Sequence, residues 1–276
     1  MPGLDNFFSK IYVINLFDKT ERWEKVRKQF ANRRIKVDRF IAIDGRCKDQ
    51  GEKACKEKLG DFEMKYDVRI PLKKGANLKV MVPAASLTIG TIIILRHTVK
   101  MKYPRILICE DDIELARGFE KKFNQGIAEL KKIGKENSWD LLYLGCGDRC
   151  GYKGVSEKRS KRNRHPSFLN QLMDVDIYVK SPNDIRFPCD ECKSLTEHIT
   201  RAVHPGGTWC YAFSLKGARK MLKLIGNNAG AHIDQLLAAE VEDGKMTAYA
   251  FDPPVVMHEA IIGPDGKRKT DIEWEW

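Results

Sequence analysis

Along this chain, short apolar runs of strand length alternate with stretches in which apolar residues recur at helical spacing. Lys10-Ile11-Tyr12-Val13-Ile14-Asn15-Leu16 is the first such run, rich in β-branched residues. Asp18 then stands three residues before Glu21, the spacing of a capping box, and Trp23, Val26 and Phe30 follow on one helical face. Val37 to Ile43 predicts a second strand, closed by the Asp44-Gly45 turn. Strand, helix and strand in this order predict a parallel pair with a crossover helix. Residues 46–82 are charged, contain a Lys73-Lys74-Gly75 turn and predict an irregular surface excursion. Order returns at Pro83, where Ser86 or Thr88 can cap a helix through Ile92, Ile93, Leu95 and Val99. That helix is apolar almost all round, which implies burial.

Arg105-Ile106-Leu107-Ile108-Cys109 predicts a buried strand, and three carboxylates, Glu110, Asp111 and Asp112, follow without a break. Phe119, Phe123, Ile127 and Leu130 mark an amphipathic helix, and Trp139 to Leu144 another strand ending at Gly145-Cys146-Gly147. Residues 149–172 carry Lys158, Arg159, Lys161, Arg162 and Arg164 and read as a basic loop. A strand at Val175–Val179 and a cysteine-bearing excursion at 181–204 come next. Gly206-Gly207 then hinges into a strand ending at Phe213, and Ser214 caps a helix with Ala218, Met221, Leu222 and Ile225, stopped by Gly226. His232-Ile233-Asp234 opens another helix, and the runs 247–251 and 254–258 are expected to close the sheet. This pattern predicts an α/β fold, a mostly parallel central sheet flanked by helices with two irregular insertions, about 46–82 and 149–204. One domain would occupy 1–262, and 263–276 would be a polar tail that Trp274 and Trp276 could dock.

Composition narrows the class. At 276 residues, 42% hydrophobic and 32% charged, the chain can bury a sizeable core as a globular protein. No uninterrupted apolar run approaches the roughly 20 residues of a membrane span. Met1 to Lys10 lacks the apolar core of a signal peptide, which predicts a cytoplasmic location. The net charge of +11 suits anionic partners and allows peripheral contact with the inner face of a membrane. Eight cysteines in such a setting are expected to be reduced thiols. Cys146-x3-Cys150 and Cys189-x2-Cys192 resemble a zinc-binding pattern, but ordinary thiols are the simpler reading.

The chemistry concentrates at residues 110–112. Adjacent carboxylates repel one another unless water or a cation intervenes, and hard oxygen ligands at the end of an α/β strand suit Mn²⁺ or Mg²⁺. The whole series of motifs resembles glycosyltransferase family 25, the lipooligosaccharide and procollagen galactosyltransferase relatives. The matching stretches are Ile11 to Leu16 with Arg22-Trp23, Phe40 to Gly45, Leu87-Thr88-x-Gly90 with His97, and Leu107 to Asp112. Trp139 to Gly145, Tyr211 to Ala218 and His232-Ile233-Asp234 complete them, and Arg96-His97 stands where the family usually has Ser-His.

That resemblance implies a Rossmann-like GT-A fold and an inverting, metal-dependent transfer from a UDP-sugar donor to a glycan or glycosylated-protein acceptor, with no nucleic acid expected. Asp112 and Glu110 would hold the metal–diphosphate, with His258 as a third ligand and Asp111 facing the ribose. Asn15, Leu16, Arg22 and Asp44 would form the uridine pocket. Asp234 would be the general base, and His97 a structural residue. Two other classes compete. A phosphorylation-switched receiver domain has a similar acidic pocket but needs an aspartate where Gly145 stands. A basic nucleic-acid-binding protein with a four-cysteine zinc module would use residues 158–164.

Overall fold

In the computed structural model, residues 3–47, 51–72, 75–146, 194–203 and 205–258 are described. Among them the core is a seven-stranded sheet in the order β2-β1-β3-β7-β5-β8-β6. Its strands are β1 (Lys10–Asn15), β2 (Asp38–Ile41), β3 (Arg105–Glu110), β5 (Leu141–Gly145), β6 (Ile199–Arg201), β7 (Cys210–Ser214) and β8 (Ala248–Phe251). β1 pairs parallel with both β2 and β3, and β5 with β8, whereas β7 runs against β3 and β5, and β6 against β8. The sheet is therefore mostly parallel and Rossmann-like. The antiparallel β7 between β3 and β5 also separates it from the all-parallel order of the receiver class.

Period-two alternation assigns each strand's side chains to two layers. Tyr12, Ile14, Ile106, Ile108, Tyr143, Tyr211 and Phe213 face one core, with α3 (Gly51–Tyr66), α4 (Leu78–Met101), α6 (Leu215–Ile225) and α7 (Ile233–Glu242) packed there. Val13, Leu107, Cys109, Leu142, Leu144 and Ala212 face the other, covered by α1 (Leu4–Phe7), α2 (Thr20–Ala31) and α5 (Phe119–Lys132). The remaining strands, β4 (Ile113–Leu115) and β9 (Val256–His258), form a separate antiparallel pair. The run 254–258 thus leaves the main sheet instead of closing it.

Several expectations are corrected. The excursion at 46–82 contains α3, whose Cys55, Leu59 and Phe62 recur at helical spacing and are buried. α4 begins at Leu78, five residues before Pro83, because the Asn77 side chain caps it by accepting from Lys79 N. Ser86 and Thr88 lie buried inside that helix; Ser86 Oγ donates to the Pro83 carbonyl, and Thr88 Oγ1 to that of Ala231. α4 is long and apolar enough to cross a membrane by length and composition, but 72% of its most apolar window is buried within the protein. Its apolar stretches are interrupted by Ser, Thr and Gly, which hid its length. Asp18 does not cap α2; Lys19 holds that position, and Asp18 instead accepts from Arg46 at 2.7 Å. Cys47 and Cys55 form a disulfide with Cα atoms 5.4 Å apart, so the cysteines are not all reduced thiols.

Ser214 caps α6 by accepting from Gly217 N, as expected. The basic loop 149–172, the strand at 175–179, Cys150, Cys189 and Cys192, and the tail 263–276 lie outside the described residues.

Candidate active site

The sheet order creates the site. β1 lies between β2 and β3, so successive connections leave it in opposite directions and open a crevice at the carboxyl ends of β1 and β3. Asn15 ends β1 and Glu110 ends β3, which brings the acidic cluster to that crevice. β4 starts immediately after Asp112, and its pairing register sets Ile113 opposite His258. The imidazole Nε2 therefore lies 3.3 Å from Asp112 Oδ2.

Glu110, Asp112 and His258 each present a ligand atom within 4.8 Å of the others. Asp112 is 9% exposed, and its Oδ1 is buried without a hydrogen-bond partner among the described residues. Such an orphan is rare, since buried polar atoms are ordinarily satisfied. Burial, then the charge of Asp112, push the Glu110 carboxyl up to about 7; the Thr208 hydroxyl, donating to Oε1 at 2.7 Å, and His258 oppose the rise. A third carboxylate, Asp234, adds to it from the first turn of α7. Two carboxylates and an imidazole, with Asp112 buried and one of its oxygens unsatisfied, fit a divalent cation of the Mn²⁺ or Mg²⁺ type.

The other candidates divide. Asp111 is engaged by the chain itself: Asn15 Nδ2 donates to Oδ2 at 2.5 Å, and Arg22 Nη1 lies 3.5 Å from Oδ1. The same Arg22 nitrogen is 3.8 Å from Asp112 Oδ2, so α2 contributes a cation to the cluster rather than a solvated surface charge. Asn15 is buried and holds the strand end together, donating to Lys19 O and accepting from Arg39. The Leu16 carbonyl also accepts from Arg39. Asp44 lies in the loop after β2, bound to Arg46, whose guanidinium holds its carboxyl down to about 2. Asp234 Oδ1 accepts from Gln235 N, while the helix N-cap is His232, buried and lowered in pKa by that burial. His97 accepts or donates at 3.0 Å to the Tyr12 hydroxyl, a packing role.

Sequence reasoning missed Thr208, Arg39 and Trp209. Thr208 follows the Gly206-Gly207 hinge, just before β7, and carries no motif of its own, and Trp209 packs its ring 5.6 Å from that of His258. Arg39 was one charge within a predicted strand; its guanidinium lies over the Trp23 ring and reaches Asn15, Leu16 and Phe17.

Sheet and cluster together define an α/β protein with a candidate divalent-metal site at the topological switch point. No family model matches the chain. It is 30% identical over 142 residues to a glycosyltransferase 25 family member of Anopheles gambiae, covering 50% of this chain and 22% of that protein. A glycosyltransferase 25 family member of Aedes aegypti is likewise 30% identical over 141 residues, 50% of this chain and 21% of its own length. The match thus spans about a fifth of the length of these curated relatives. Over half of its length the chain is thus similar to proteins named as glycosyltransferase 25 family members.

Proposed function

We propose that this chain is a metal-dependent glycosyltransferase that moves a sugar from a UDP-sugar donor to a hydroxyl of a glycan or glycosylated protein, with inversion. The observation carrying this reading is the Glu110–Asp112–His258 set, with its buried, orphaned Asp112 oxygen, beside the carboxyl ends of β1 and β3. Those three side chains would hold the cation, Mn²⁺ or Mg²⁺. Bound there, it would neutralise the diphosphate that departs when the sugar–phosphate bond breaks.

The chain's own residues would do the rest. Arg22, beside Asp111 and Asp112, adds fixed positive charge next to the departing phosphates. Asp234 would take the proton of the acceptor hydroxyl as its oxygen attacks the anomeric carbon from the face opposite the leaving UDP. Thr208 fixes the orientation of Glu110. Asn15, Leu16 and Asp44, at the ends of β1 and β2, would border the nucleoside. The Cys47–Cys55 disulfide favours an oxidising compartment over the cytosol.

The test is UDP release from a panel of UDP-sugars with Mn²⁺ and no acceptor, for the wild type, Asp112→Asn and Asp234→Asn. Metal-dependent hydrolysis of one donor, lost in Asp112→Asn, supports the reading and names the sugar. Asp234→Asn should still bind UDP but lose transfer once the acceptor is supplied. If the wild type hydrolyses no UDP-sugar and calorimetry detects no UDP binding with metal present, the donor assignment fails.

A further inference from the structure

Phe17 is 75% exposed, among the most exposed large apolar side chains of the described residues, and it lies two residues beyond the end of β1. A single exposed apolar residue is ordinary. The backbone beneath this one is not. Arg39 Nη2 donates to the Phe17 carbonyl at 3.0 Å and to that of Leu16 at 3.1 Å. The Arg39 guanidinium in turn lies over the Trp23 ring and grips Asn15 Oδ1. Lys19 N closes a turn on Leu16 O, and Asn15 Nδ2 donates to Lys19 O. An exposed aromatic residue is thus mounted on a fixed turn.

Its place is equally constrained. Asn15, two residues back, donates to Asp111, the immediate neighbour of Asp112. Ile41, opposite Asn15 in the β1–β2 register, is itself 46% exposed. Two uncovered apolar side chains, one just beyond the end of β1 and one at the end of β2, thus lie at the same end of the sheet as the acidic cluster that follows β3. Asp18, next to Phe17, and Asp44, three residues beyond Ile41, are joined through Arg46. A flat, partly apolar group attached to phosphates suits this arrangement: the phosphates at the cluster, the flat group on the ring.

We propose that Phe17 is the stacking platform for the pyrimidine base of the donor nucleotide, with Ile41 beside it, so that this residue sets affinity for the nucleoside half of the donor. The assignment rests on the UDP-sugar reading above. Stacking needs only a π-face, so Tyr or Trp at this position serves as well as Phe, whereas a side chain without a ring does not.

The experiment is isothermal titration of UDP in saturating Mn²⁺ into wild type, Phe17→Ala, Phe17→Leu and Phe17→Trp, with Mn²⁺ binding measured separately by electron paramagnetic resonance. Because Phe17 is exposed, all variants should fold, which thermal melting checks. Phe17→Ala and Phe17→Leu should weaken UDP by about 5- to 150-fold, the range set by removing a base–aromatic stack, with Mn²⁺ affinity unchanged and Phe17→Trp close to wild type. UDP bound equally by wild type and Phe17→Ala overturns the platform and leaves the transferase reading standing. A loss in Phe17→Ala that Phe17→Leu restores also overturns it, since bulk alone would then suffice. No UDP binding by the wild type overturns both.

Discussion

A substitution at Gly145 tests the candidate metal site without touching any of its proposed ligands. It ends β5, and a Cβ built there lies 2.8 Å from the Val256 carbonyl carbon, closer still to its oxygen, and 3.2 Å from Val256 Cβ. Real Cβ atoms essentially never approach within 3.0 Å, and the obstacle is backbone, so rotamer changes cannot relieve it. Gly145→Ala must therefore push β9 away from β5 by the better part of an ångström. β9 is held there by the hydrogen bond from Val255 N to Leu144 O, 2.9 Å long, and by its pairing with β4. Overpacking of this kind costs about 1–3 kcal/mol. At roughly 2–4 °C per kcal/mol for a chain of about this size, the melting temperature should fall by roughly 2–12 °C. His258 is the third residue of β9 and sits 3.3 Å from Asp112, so the same shift should loosen the three-ligand set. Mn²⁺ affinity, titrated by electron paramagnetic resonance below the melting transition, should drop about tenfold, the result of losing about 1.4 kcal/mol of ligand geometry. The decisive comparison is with His258→Ala, which should lose as much metal affinity without the drop in melting temperature. A Gly145→Ala protein with wild-type melting and wild-type Mn²⁺ affinity would refute both the packing argument and the role of β9 in carrying a ligand.

Other perturbations test the frame around the site. Asp140 is fully buried and paired with Lys220 and Lys216, and it also accepts from Thr247 N. Lys220→Met should cost about 3 kcal/mol in urea unfolding, because it leaves the buried carboxylate with Lys216, at 3.5 Å and largely exposed, as its remaining cation among the described residues. Replacing Cys47 and Cys55 by alanine opens a loop with a sequence separation of 8 and should cost about 2–3 kcal/mol in the same assay, and reductant should reproduce the effect in the wild type. The Asp44 carboxyl, held at about 2 by Arg46, contributes stability that is present above the ordinary aspartate range and disappears as pH falls from about 4 to about 2. Asp44→Asn should therefore flatten the acid limb of the stability–pH curve in that window. The pair is half exposed, so the change should be small.

Local chemistry made much of this protein legible from its sequence. The apolar run at Lys10–Asn15, the helical spacing of Phe119, Phe123, Ile127 and Leu130, and the Ser214 cap were each readable because the deciding interactions lie within a few residues. The same held for Glu110-Asp111-Asp112 at the end of a buried strand. Where the reading failed, the deciding partner was distant. The weakly amphipathic α3 owes its place to the core it covers, and α4 starts early because Asn77 caps a helix that then packs on the sheet for most of its length. Cys47 and Cys55 were close in sequence, but only the return of α3 against that loop brings their sulfurs together.

Sequence by itself determined that strands and helices alternate around an acidic strand end, since apolar periodicity and caps are local properties. Tertiary structure decided what stands beside that acid. His258 reaches Asp112 only through the antiparallel pairing of β4 with β9, and Arg22 reaches it only because α2 packs over the same strand ends. Thr208 reaches Glu110 only because β7 inserts antiparallel beside β3. Register and strand order are set by long-range packing, and no local pattern encodes them.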